Sequence, residues 1–234
     1  MLIKGVKLLT AELERLFRFY TITLGLPVVE SNNDSFSVQI GRSQLIFERN
    51  DKHGEYPFYH FAFDISSNKI QESMEWLESR GIELNKLPES TFKIYSPTWN
   101  ATSIFFYDPA GNIVEFIARH NLNNATPGQF QLTDLVRISE IGLVVPDVST
   151  TRELLRSKFS LTEYKNYHDR FAAVGDEERL FILSVHKRIW LGSDKSAEIF
   201  KTEVIIEHNT ETEYSFLDLP YKISVKGKLD KIGC

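Results

Sequence analysis

One order of elements recurs along this chain: a strand, an amphipathic helix, then short strands. Residues 3–9 read as a strand. Residues 12–24 set Leu13, Leu16, Phe17 and Tyr20 at helical spacing, which makes one apolar face. Gly25 suits the position just past a helix end. Strands follow at 27–29, at 36–40, where FSVQI alternates apolar and polar residues, and at 45–47. This is a βαβββ unit. The order repeats with a strand at 60–65, a helix over 69–79 carrying Ile70, Met74 and Leu77 on one face, and strands at 82–84, 92–95, 103–107 and 113–118. A third copy has a strand at 138–145, a helix over 150–158 with Leu154 and Leu155 inward, and strands at 161–165, 171–174 and 180–185. A fourth begins at 202–207. Residues 209–219 are too few and too polar for the helix that should follow, so this copy reads as cut short.

The polar, turn-rich stretch NLNNATPGQFQ marks a linker over 121–132. It divides the chain into residues 1–120, with two intact units, and residues 133–234, a degenerate and truncated pair. At 234 residues, with 42% hydrophobic and 25% charged residues, the chain has an ordinary globular composition. Its 17 Phe and 9 Tyr suffice for sizeable cores or for an apolar cavity. A net charge of −5 argues against a nucleic-acid partner, since phosphate binding needs clustered basic residues. No apolar run is long enough to span a bilayer, and the N-terminus lacks a basic-then-apolar leader. The one cysteine, Cys234, has no intrachain partner, which fits a reducing, cytoplasmic setting.

Two strands carry metal-capable side chains, His60 in the second unit's first strand and Glu115 in its last. An imidazole with a carboxylate suits divalent Fe, Mn, Ni or Zn. Strand alternation puts His60, Ala62 and Asp64 on one face and Phe61, Phe63 and Ile65 on the other. Glu115 likewise shares its face with Ile113 and Ile117, opposite Val114 and Phe116. The plainer reading is a hydrogen-bonded histidine and an ion-paired glutamate. Tyr95, Trp99, Tyr107 and Phe92 lie on or near the second unit's strands and are candidates for a substrate pocket. Core packing is the alternative for each. His53, His120, His168, His186 and His208 fall at turns or strand ends, and Asp176, Glu177 and Glu178 read as a solvated hairpin tip. No phosphate-cradling loop, Cys/His zinc pattern or nucleophile elbow is present, and no organic cofactor is expected.

Three stretches, FYTITLGL at 19–26, HFAF at 60–63 and DPAGNIVE at 108–115, resemble the vicinal oxygen chelate superfamily. It includes glyoxalase I, bleomycin- and fosfomycin-resistance proteins and extradiol ring-cleaving dioxygenases. The resemblance implies an α+β fold in which paired βαβββ modules form curled mixed sheets around a cavity, in two tandem domains. It also implies metal ligands from the first strand of each unit and the last strand of the second. Those positions are Gly5, His60 and Glu115, and glycine has no side chain to donate. Lys7 shares the face of Gly5, so its ammonium is a candidate to neutralise Glu115 in place of a metal or to bind substrate. Glu140 stands at the equivalent first-strand position of the third unit and Glu203 at that of the fourth, and residues 133–208 read as lacking a triad of their own.

The expectation is an enzyme, lyase or dioxygenase-like, acting on a small molecule that chelates a divalent metal through adjacent oxygens. Glu115 would serve as ligand and catalytic carboxylate, with Glu48 a further candidate base. Ring cleavage typically uses two His and one carboxylate, which disfavours the dioxygenase branch. The alternative is a metal-free protein that sequesters an aromatic or drug-like compound. Module pairing within one chain implies a monomer, and pairing between chains a homodimer.

Overall fold

The structure is a computed structural model, and it describes residues 2–165, 167–208, 212–216 and 218–227. Cys234 lies outside the described residues. The first unit is β1 (Ile3–Thr10), α1 (Leu13–Arg18), β2 (Val28–Ser31), β3 (Ser35–Ile40) and β4 (Ser43–Arg49). The second is β5 (His60–Ile65), α2 (Ile70–Glu78), β6 (Lys93–Ser96), β7 (Ala101–Tyr107) and β8 (Ile113–Arg119). The third is β9 (Leu135–Val145), α3 (Val148–Phe159), β10 (Phe171–Asp176) and β11 (Arg179–Val185). The fourth is β12 (Thr202–His208), β13 (Thr212–Ser215) and β14 (Tyr221–Gly227), with no helix among its described residues.

Local chemistry accounts for the helices. Leu13, Leu16 and Tyr20 form the buried face of α1, which continues as a π-helical turn over Phe19–Thr23. Asp147 caps α3 by accepting from the Thr150 amide at 2.6 Å, and left-handed Ser160 ends it. Two expected strands are missing. Residues 161–165 make a single bridge, Glu163 to Val174, because the chain turns away at left-handed Lys165. Residues 82–84 make only the Leu84–Phe106 bridge before the backbone turns through left-handed Glu89 and Ser90.

The strands form two seven-stranded mixed sheets, so the fold is the α+β arrangement of curled βαβββ modules that the resemblance implies. One sheet runs β13-β14-β12-β1-β4-β3-β2 and the other β10-β11-β9-β5-β8-β7-β6. Each sheet therefore draws on both sides of the 121–132 stretch. The first unit pairs with the fourth through antiparallel β1 and β12, and the second with the third through antiparallel β5 and β9.

Alternation sorts side chains as strand geometry demands. Phe61, Phe63, Ile65, Val114 and Phe116 join Val6, Leu8, Leu45 and Phe47 of the other sheet in one core. Ile113 and Ile182 face the opposite side, with Phe105 and Trp190. Two hydroxyls stitch the sheets together where backbone groups would otherwise be orphaned. Ser43 Oγ donates to the Ile3 carbonyl at 2.6 Å and accepts from the Ile138 amide at 3.1 Å. Tyr59 OH accepts from the Leu9 amide at 3.1 Å and donates to the Lys201 carbonyl at 3.0 Å.

The β3–β4 turn touches β9 directly. Gly41 has φ +52°, and a Cβ there would lie 2.0 Å from the Val136 carbonyl oxygen, which already accepts from the Arg42 amide at 2.9 Å. Neither the left-handed backbone nor the contact admits a side chain. Gly41→Ala is expected to lower unfolding free energy by about 2 kcal/mol or more, measured by denaturant titration. A loss of a few tenths would show that the two sheets can separate here at little cost.

Candidate metal centre

The site follows from one register. Ala62 at the centre of β5 lies opposite Glu115 of parallel β8 on one side and Glu140 of antiparallel β9 on the other. All three side chains thus share a face, and the small Ala62 leaves the space between the two carboxylates open. His60, two residues earlier on β5, shares that face. Donor atoms of His60, Glu115 and Glu140 lie within 4.8 Å of one another, the one such group of three among the described residues. All three are buried, at 6%, 6% and 2% exposure, so they are not a solvated acidic patch.

The imidazole is oriented for ligation. Its Nδ1 lies 3.3 Å from the Ile113 carbonyl, which can only accept, so Nδ1 carries the proton and Nε2 is left with its lone pair. Nε2 points to Glu115 Oε2 at 3.5 Å. Burial pushes the His60 imidazole down to about 4. Burial, with the Glu140 carboxylate beside it, pushes Glu115 up to about 8. Glu140 is also raised by burial, but Arg119 opposes the shift. The cluster carries more carboxylate than it has free cation to match. A divalent ion would correct that imbalance, so the donor set fits one.

Behind the trio lies a buried charge network. Arg119, fully buried on β8, donates through Nη2 to Glu140 Oε1 and places Nε 3.2 Å from Asp64 Oδ1. Arg137 Nε donates to Asp64 Oδ2 at 2.8 Å and its Nη1 to Glu178 Oε1 at 2.7 Å. The Arg119 guanidinium also sits 5.5 Å from the Trp99 ring and 5.9 Å from that of Tyr164. Glu140 is thereby fixed, whereas no guanidinium holds Glu115.

Above the trio is a cavity of about 540 Å³ walled by aromatic and aliphatic side chains. Tyr95 and Trp99 line it, as do His168, Phe171, Arg188 and Trp190. Trp190 seats where β9 has Gly142: a Cβ there would lie 2.7 Å from Cη2 of the indole. Its ring lies 5.1 Å from that of His60. A larger groove of about 780 Å³, flanked by Leu13, Phe17 and Phe36 on the other sheet, holds no such donor cluster.

The remaining sequence candidates lie elsewhere. Tyr107 is outside the cavity, donating to Asp194 Oδ1 at 2.6 Å. Lys7 does not meet Glu115. It sits on the other sheet and pairs with Glu48 at 3.0 Å, which also occupies the proposed base. Gly5 is not the vacant corner of this site, because β1 pairs with β12 and β4 rather than with β5. The third member of the group is Glu140, which comes from the third unit. Its pairing with the second unit, not the first, is what sequence order did not show. Trp190 and Arg188 lay in a stretch with no strand or helix pattern. A tryptophan within a polar connection was the available signal.

The other sheet repeats the register without the chemistry. Lys7 stands where Ala62 does, between Ile46 of β4 and Glu203 of β12. Gly5 replaces the histidine, and the Ile205 side chain fills its space, 3.3 Å from where a Cβ would be. In the sheet that carries the trio, Ile182 stands opposite Gly142 as Glu115 stands opposite Ala62, which closes a fourth corner with methyl groups.

A paired-module fold with a buried His/Glu/Glu trio in one curled sheet defines the class. Residues 3–116, just under half of the chain, match the Glyoxalase/Bleomycin resistance protein/Dioxygenase superfamily. Among solved structures, a proposed dioxygenase from Bacillus subtilis is similar over 96% of this chain and 85% of its own, at 14% identity and TM-score 0.65. A glyoxalase I point mutant from Zea mays is similar over 96% and 93%, at 14% identity and TM-score 0.62. Glyoxalase I from Zea mays is similar over 95% and 91%, at 13% identity and TM-score 0.59. At these identities the likeness is one of fold. No curated protein matches the chain.

Two outcomes are expected of the site. Near neutral pH, zinc titrated into chelator-treated protein should release about one proton per ion. It comes from Glu115, because His60 is already neutral there, and the release should vanish above about 8 as Glu115 ionises unaided. Calorimetry in buffers of different ionisation heat measures it, and release that does not change with pH would reject this account of Glu115. Replacing Arg119 by Met strands Glu140 as a buried, unpaired carboxylate and leaves Asp64 with Arg137 alone. Denaturant unfolding should show a loss of about 3–5 kcal/mol, with Arg119→Lys losing less.

Proposed function

We propose that this protein is a metal-dependent enzyme of the vicinal oxygen chelate type, in which His60, Glu115 and Glu140 hold a divalent ion, one of Mn, Fe, Ni or Zn. Its substrate is a small molecule presenting two neighbouring oxygens, and its reaction is a lyase or isomerase step by proton transfer. The observation that carries this reading is the convergence of one imidazole and two carboxylates from three adjacent strands beneath an aromatic cavity. When bound, the ion supplies Lewis-acid polarisation of the substrate oxygens.

The chain's own groups divide the remaining work. Arg119 pins Glu140, which makes it a fixed ligand. Glu115 has no such tether and is the carboxylate able to take and return a proton at a carbon beside the chelated oxygens. Trp99 and Trp190 line the substrate's space and exclude water from it. A single histidine with two carboxylates favours this over iron-dependent ring cleavage, which typically uses two histidines and one carboxylate.

Elemental analysis of native protein beside His60→Ala and Glu140→Gln variants tests the reading. Native protein is expected to hold near one equivalent of a transition ion, and both variants to lose it while keeping a folded circular dichroism spectrum. Equal metal content in all three would remove these residues from the site. Native protein without metal affinity, yet binding aromatic compounds saturably, would favour a sequestering protein instead.

A further inference from the structure

We propose that the cavity takes an anionic substrate, an apolar or aromatic body bearing a carboxylate, and that Arg188 is the residue that anchors the anion. This refines the metal-site reading above and rests on it for the role of the cavity floor.

Arg188 lies in the connection between β11 and β12, which is strapped across the second unit. Asn85 Nδ2 donates to the Gly192 carbonyl at 2.7 Å, and Lys195 Nζ donates to that of Gly111 at 2.7 Å. The strap carries Trp190 onto His60 and holds Arg188 half-buried in the cavity wall. The guanidinium lies 4.7 Å from the Phe171 ring, which also lines the cavity. Among the described residues its one hydrogen bond is a long 3.4 Å donation from Nη1 to the neighbouring Ile189 carbonyl. Among the described residues it has no carboxylate partner. The other arginines around the cavity floor are committed: Arg119 to Glu140 and Asp64, Arg137 to Asp64 and Glu178, and Arg179 to Asp176.

Charge matching isolates Arg188 further. A divalent ion is offset by Glu115 and Glu140, and Arg119 and Arg137 are offset by Asp64 and Glu178. Among the described residues Arg188 is the one lysine or arginine that lines the cavity, and the charge that acts on it is the like charge of Arg170. Burial first, then Arg170, depress its pKa. A partly desolvated cation without an anion is costly, and a ligand carboxylate relieves that cost. The planar guanidinium fork matches a carboxylate through two parallel hydrogen bonds. The rest of the wall near it, Trp99, Ile182, Trp190 and Leu191, offers apolar surface. The ligand this describes turns its carboxylate to Arg188, its apolar body to the two indoles, and its oxygen donors to the trio.

The test uses the full chain, with phenylacetate and its uncharged isostere phenylacetamide as probes and tryptophan fluorescence as the readout. One arm is zinc-loaded and one chelator-stripped, and metal content is measured in both. Wild-type protein is expected to prefer phenylacetate by about tenfold or more in both arms, as a charge-assisted pair gives. Arg188→Gln should bring the two affinities to within about twofold of each other, leaving the phenylacetamide affinity and zinc content unchanged. Arg188→Lys, which keeps the charge, should retain part of the preference. Equal binding of both probes by wild-type protein, or no binding of phenylacetate, overturns the proposal. So does a preference that survives in Arg188→Gln, which would place the carboxylate on zinc or elsewhere. Zinc binding without any carboxylate preference would leave the metal reading standing and remove Arg188. An Arg188-dependent preference without zinc affinity would do the reverse.

Discussion

The antiparallel pairing of β5 with β9 is the constraint on which the site depends. It sets Glu140 opposite Ala62, while parallel β8 sets Glu115 opposite the same residue from the other side. Side chains alternate along strands, so a one-residue slip would turn Glu140 into the core and bring Ile141 or Ser139 toward the cavity. The register is well held. The inward face carries Phe61, Phe63 and Ile65 of β5 and Ile141 and Leu143 of β9 into the shared core, and a one-residue slip of β9 would turn the last two out of it.

Gathering charge at that point raises a problem that Arg119 solves in part. Glu115, Glu140 and Asp64 are buried together, and each isolated carboxylate would be strongly disfavoured in such surroundings. Arg119 and Arg137 neutralise the deeper members and hold them by hydrogen bonds, while the member nearest the cavity is left without a guanidinium. The result is a graded site, rigid at its back and chemically adjustable at its front. That gradient separates a supporting carboxylate from a reactive one without any difference in residue type.

The second sheet shows how little must change to lose such a site. It has the same strand order about its centre and the same register, yet Gly5, Ile46 and Lys7 stand where His60, Glu115 and Ala62 do in the first. Ile205 fills the vacated volume and the Lys7–Glu48 pair settles the charge. Fold and core survive because these substitutions lie on the face away from the shared apolar core.

What the sequence by itself determined was local. Element order and the faces of β5 and β8 follow from hydrophobic alternation, and the convergence of His60 with Glu115 is what the resemblance implied, since the tight DPAGN turn joins β8 to β7 and not to β5. Glu140 was visible as a first-strand carboxylate, but not as a partner of those two. Only the tertiary structure decided that the second unit pairs with the third, that Lys7 and Gly5 belong to another sheet, and that a strap without periodic pattern delivers Trp190 and Arg188 to the cavity. Alternation reports which way a side chain points on its own strand. Which strand lies alongside is chosen by packing between segments far apart in the chain, and no periodicity within one segment encodes that choice.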